Sequence, residues 1–150
     1  MNIQTVKQGA KITLYNGIYL ILLGILTISL QKFNMTLLFE SISELWGFFS
    51  TYNPRIANLF FLFNLLTGIL LISIGIFIIY LSYFIIKRKE KITWVVLFIS
   101  GIICWAGLLI ISFFLKNWII ISLMAFGWLM FIFGMLMPIR YYIEKEYKEY

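Results

Sequence analysis

The chain contains no histidine and no aspartate, one cysteine and two prolines, and only 12% of its 150 residues are charged. Each shortage removes a class of chemistry. Without histidine or aspartate a Ser-His-Asp triad cannot be assembled. Haem, copper and most zinc sites lose their commonest ligand, and the lone Cys104 can neither build a cluster nor close an intrachain disulfide. No glycine-rich phosphate loop is present either: the glycines are spaced for helix packing, with no Lys-Ser or Lys-Thr following. No cofactor and no metal is therefore expected, and an enzyme is the least favoured reading. A soluble domain carries about a quarter charged residues, so 12% charge beside 63% hydrophobic residues excludes a globule folded in water.

What the chain does have is long apolar runs. Four stand out, at about 12–30, 56–86, 92–115 and 118–139, each long enough to cross a hydrocarbon core of about 30 Å. The first ends in Ser29-Leu30-Gln31-Lys32 with no small-x-small cleavage site, which favours an uncleaved span over a secretory signal. The pattern predicts an all-α integral membrane protein, a four-helix antiparallel bundle forming one membrane domain over 1–150. Residues 1–11 read as a polar lead-in. The 31–55 loop contains a short amphipathic helix capped by Thr36, with Leu38, Ile42, Leu45, Trp46 and Phe49 on one side and Trp46 as an interface anchor. Glu40 and Glu44 fall on its solvated side. A basic 87–91 loop joins the second and third spans, Lys116-Asn117 turns the third into the fourth, and 140–150 is a charged tail with Arg140/Glu144 and Glu144/Lys148 spaced for pairing.

The net charge of +6 comes from basic residues that flank the spans, a topology signal rather than a nucleic-acid surface. Nine of the twelve Lys and Arg residues lie in the lead-in, the 87–91 loop and the tail, and three in the opposite loops. That asymmetry predicts a cell-membrane protein with both termini cytoplasmic.

The small residues of each span fall on stripes, the surfaces by which helices dock in lipid. They are Gly17 and Gly24 in the first span, Asn64, Gly68, Gly75 and Ser82 in the second, Ser100, Cys104 and Gly107 (with Thr93) in the third, and Gly127 and Gly134 in the fourth. Asn16 to Ile25 matches Thr67 to Ile76 at six of ten positions, through either an internal repeat or a shared packing need. Asn16, Asn58 and Asn64 suit interhelical hydrogen bonds. If the last two spans fold back at 116–117, Ala106 pairs with Gly127 and Trp105 with Trp128. Both indoles then lie about 17 Å from the turn, where they either fill the core or face lipid or, with Ser112, Met124 and Cys104, line a pocket for a quinone or isoprenoid lipid.

The uncharged spans argue against proton relays and ion pathways. The leading expectation is a non-catalytic membrane protein that acts by helix–helix contact, its partner another membrane protein or a second copy, with an apolar lipid ligand as the alternative. Ser50-Thr-Tyr-Asn-Pro54 before the second span, the basic 87–91 loop, and Pro138 before a charged tail make the layout similar to that of immunity proteins against pore-forming bacteriocins. The resemblance implies that the spans bind the toxin's hydrophobic helices in the membrane.

Overall fold

The computed structural model describes residues 3–40 and 45–146. They form seven helices: α1 (Ile3–Ser29), α2 (Gln31–Glu40), α3 (Trp46–Tyr52), α4 (Pro54–Arg88), α5 (Lys91–Phe114), α6 (Trp118–Leu136) and α7 (Ile139–Glu146). Four helical stretches, Gln4–Ser29, Pro54–Arg88, Lys91–Phe114 and Trp118–Tyr142, are long and apolar enough to cross a membrane. The chain is an all-α four-helix bundle in which α1, α4, α5 and α6 pack as a ring. The α1–α4 contact is the most extensive side of that ring and α4–α5 the least.

The bundle is built inside out. Buried positions include Thr13, Asn16, Asn64, Ser82 and Ser112, whereas Leu62, Phe63, Ile103 and Phe126 are exposed. In water this arrangement would leave a large apolar surface wet. In hydrocarbon it is favourable, because polar groups need protein partners and aliphatic side chains do not.

The α1–α4 seam rests on two glycine pairs in one antiparallel register. A Cβ built on Gly75 would lie 2.6 Å from the carbonyl oxygen of Gly17, and one on Gly24 would lie 2.7 Å from that of Gly68. Each glycine therefore seats the backbone of the opposite helix, a contact lipid cannot imitate. The Asn64–Gly68–Gly75–Ser82 stripe is buried in this seam together with Leu71, Ile78 and Ile85. The seven-residue spacing that makes 16–25 resemble 67–76 is also the spacing that lets the two helices meet at both glycine pairs.

Three expectations need correction. Residues 3–11 are not a detached lead-in: they are the first turns of α1, with Val6, Gly9 and Ala10 buried. A Cβ on Gly9 would lie 2.6 Å from the Gly134 carbonyl oxygen and 2.8 Å from Pro138. The periodicity of Val6, Ala10 and Thr13 carries the buried face down through the polar residues, whose side chains point outward.

The single amphipathic helix of the 31–55 loop is replaced by two helices. Backbone bonds from Leu30 N–H to Leu26 and from Asn34 N–H to Leu30 make α2 nearly continuous with α1. Thr36 is therefore inside a helix, donating its hydroxyl to the Lys32 carbonyl at 3.1 Å, instead of capping one. Ile42 and Glu44 lie outside the described residues, as do the Glu40 side chain and those needed for the Arg140/Glu144 and Glu144/Lys148 pairs. Trp46 is buried against the protein, in a second small core with Met35 and Ala57 and with Phe39, Phe49 and Phe61 around it. Gln31 Nε2 ties this cap to the Phe61 carbonyl at 2.7 Å. Pro54 occupies the first turn of α4 as anticipated, where its missing N–H costs nothing.

The third correction concerns α5. Its buried face is Trp94, Leu97, Gly101, Trp105 and Ser112, one residue round from the small-residue stripe of Ser100, Cys104 and Gly107. Here α5 and α6 exchange large side chains into each other's glycine gaps, Trp105 toward Gly127 and Phe131 toward Gly101, and the Ser100, Cys104 and Gly107 stripe is not the docking face.

Candidate functional site

The α5–α6 hairpin is centred on Lys116. This residue takes the left-handed conformation with φ of 52°, and Asn117 belongs to α6 as its cap, accepting from the N–H groups of Ile119 and Ile120 at 3.0 and 3.3 Å. The pairing is accordingly one residue off the expected one: Trp105 faces Gly127, and Phe131 faces Gly101. A Cβ on Gly127 would collide with the outer edge of the Trp105 indole at Cη2, and one on Gly101 with the tip of the Phe131 ring at Cζ. Gly127 thus makes room for an indole and does not bring two backbones together at Ala106.

Trp105 is 0% exposed and is held from three sides. Its Nε1–H donates to Asn16 Oδ1 at 3.1 Å, while Asn16 Nδ2 donates to the Gly127 carbonyl at 2.7 Å. Tyr19 stacks on the same indole with ring centres 6.4 Å apart, and its hydroxyl donates to the Leu123 carbonyl at 2.9 Å. One asparagine therefore joins α1, α5 and α6, and it does so where no water is available to replace it. Of the readings open for this indole, the structure gives it the place of a packed and bonded part of the interior. Trp128 and Met124 are half-buried against the same core, and Ser112 donates to the Leu108 carbonyl of its own helix at 2.6 Å. These residues form no common wall.

Of the other asparagines, Asn64 donates to the Thr27 carbonyl of α1 at 3.3 Å, whereas Asn58 is exposed and serves no such bond. Thr13 lies over Gly134, its hydroxyl donating to the Gly9 carbonyl at 3.0 Å.

A cavity lies on a different side of the bundle, between α4 and α5. Thr67, Leu70, Leu71 and Ile74 of α4 and Cys104, Gly107, Leu108 and Ile111 of α5 line a space of about 240 Å³. The two helices are joined at Lys89–Glu90, and the nearest of these positions lie 14 residues or more from that turn, so the groove begins about 20 Å below it. It therefore opens in the half of the bundle remote from both termini. Its walls are branched aliphatic side chains, and Thr67 is already satisfied by the Phe63 carbonyl at 2.8 Å.

Gly107 sets this groove apart. Among the described residues, every other glycine of the four long helices has a neighbour within 3 Å of where its Cβ would stand; Gly107 has none within 4 Å. Cys104 and Gly107, expected to hold the bundle together, instead face its one open seam among the four described contacts. The pairing of α4 with α1 was signalled by matching glycine spacing. The groove carried no signal of that kind, because it depends on which face of α5 the hairpin register turns inward.

Comparison with known proteins finds no matching family model, curated protein or solved structure.

Proposed function

We propose that the chain is a non-catalytic, multi-pass membrane protein that acts by helix–helix contact, receiving one transmembrane helix of another membrane protein in the α4–α5 groove. The observation that carries this reading is Gly107. A glycine facing outward from an apolar helix, beside Thr67 and Cys104, gives a partner's backbone the close approach on which association in lipid depends. Within the bundle, glycines at every other seam already have their partner. With nine of twelve Lys and Arg residues at the end holding the termini, we place that end in the cytoplasm. The groove then lies in the outer half of the membrane. A helix inserting from outside would meet it first, which favours immunity to a pore-forming toxin as the concrete form of the proposal.

The lone thiol supplies the test. Cys104 lines the groove, so a membrane-permeant thiol-directed photocrosslinker attached there in native membranes should capture one protein partner. Gly107→Leu should abolish capture without loss of the folded bundle, and toxin protection should disappear with it if the partner is a toxin. Capture of lipid alone, of a second copy alone, or of the partner in undiminished yield from Gly107→Leu, would overturn the reading.

A further inference from the structure

The end of the bundle opposite the groove carries a charge arrangement that helix packing does not require. Lys7, Lys11, the 87–91 turn and the tail hold five of the six net positive charges of the chain. Two of these cations rest on aromatic rings of their own helix. Lys87 Nζ lies 4.6 Å from the centre of the Tyr83 ring, and the Arg88 guanidinium carbon lies 5.0 Å from that of Phe84. Both side chains lie back one turn along α4, the direction a helix gives its long side chains, so each charge sits over a ring on the side of the apolar span. Tyr80, exposed, packs on Phe84 with ring centres 4.9 Å apart, and Tyr83 is exposed beside it. Aromatic rings thus form a platform at the depth where such rings favour the membrane interface, with two cations resting on it.

A cation drawn toward hydrocarbon loses hydration, and the loss is offset when a fixed anion meets it there. The acid that the structure sets nearby is Glu90, whose carboxylate lies 3.5 Å from Arg88 and also accepts from the Thr93 hydroxyl at 2.9 Å. Among the described side chains, no acid pairs with Lys87. We infer that the phosphate of an anionic phospholipid binds between Lys87 and Arg88 on the outer face of α4, its glycerol region against Tyr83 and Phe84. Glu90 competes with that phosphate for Arg88. This inference is independent of the α4–α5 groove, which lies in the other half of the bundle.

The test uses the full chain in nanodiscs containing phosphatidylglycerol and phosphatidylcholine, with retained lipid counted by native mass spectrometry. Phosphatidylglycerol should be retained preferentially. Lys87→Gln with Arg88→Gln should weaken its retention about thirtyfold, given the contribution each basic side chain makes near an anionic surface. Glu90→Gln should strengthen retention severalfold, and Lys32→Gln with Lys116→Gln, at the opposite end, should leave it unchanged. Equal retention of both lipids would overturn the inference. So would equal loss in the Lys32/Lys116 control, or displacement of the lipid by excess inorganic phosphate, which would assign a soluble anion instead. Circular dichroism of each variant separates loss of lipid from loss of fold.

Discussion

Helix α4 turns two different faces to its neighbours. Toward α1 it presents Gly68 and Gly75, each closed by the opposite backbone, with Asn64 bonded across the seam. Toward α5 it presents Thr67, Leu70 and Ile74, and a Cβ on the facing Gly107 would meet nothing within 4 Å. The two seams share a helix, a depth and an apolar composition. What separates them is whether the small residues of both helices arrive at the same level. Where they do, the backbones close. Where glycine meets branched aliphatic side chains, a gap is left that a third helix can fill.

Three substitutions test that contrast, in decreasing order of effect. Gly75→Leu drives a side chain into the Gly17 backbone, which has no room to yield. It should destabilise the bundle by about 3 kcal/mol, the upper end for overpacking, visible as a collapse of thermal stability in detergent. Full retention of the melting temperature would show that the α1–α4 seam is softer than its geometry. Asn16→Leu comes next. It strips the Trp105 N–H and the Gly127 carbonyl of their partner, at a cost of about 1–2 kcal/mol, and should shift the tryptophan fluorescence of the folded protein as the Trp105 indole loses its hydrogen bond. Gly107→Ala is the smallest. Its methyl group enters open space, so stability should be unchanged or rise by up to about 1 kcal/mol from helix propensity alone. A clear loss of stability there would mean that α4 and α5 close more tightly than described, and would remove the distinction between the two seams.

The polar interior extends the same comparison to α5 and α6. At α1–α4 the asparagine is an addition to a seam already closed by glycine. At the α1–α5–α6 junction, Asn16 ties a contact already made between Trp105 and Gly127 to α1, bonding both the indole N–H and the Gly127 carbonyl. The mid-membrane depth of the indole left a core place and a cavity wall both open, and what decides between them is an acceptor for its N–H. Asn16, on another helix 89 residues away in sequence, provides it. No spacing rule within α5 reveals that partner.

Local patterning determined the class of this protein. Apolar runs of membrane length with charges only at their ends admit helices and exclude a water-exposed fold, because a backbone in hydrocarbon must satisfy itself. The α1–α4 seam was legible for a related reason: Gly17, Gly24, Gly68 and Gly75 repeat with the helical period on both helices, and two such stripes have few ways to meet. Tertiary structure alone decided the rest. The face that α5 turns inward depends on Lys116 adopting the left-handed conformation and Asn117 capping α6, a shift of one residue that rotates every position by about 100°. That rotation buries Gly101 and Trp105. It also leaves Cys104 and Gly107 at the open seam, where their spacing had placed them on a stripe for docking against the bundle.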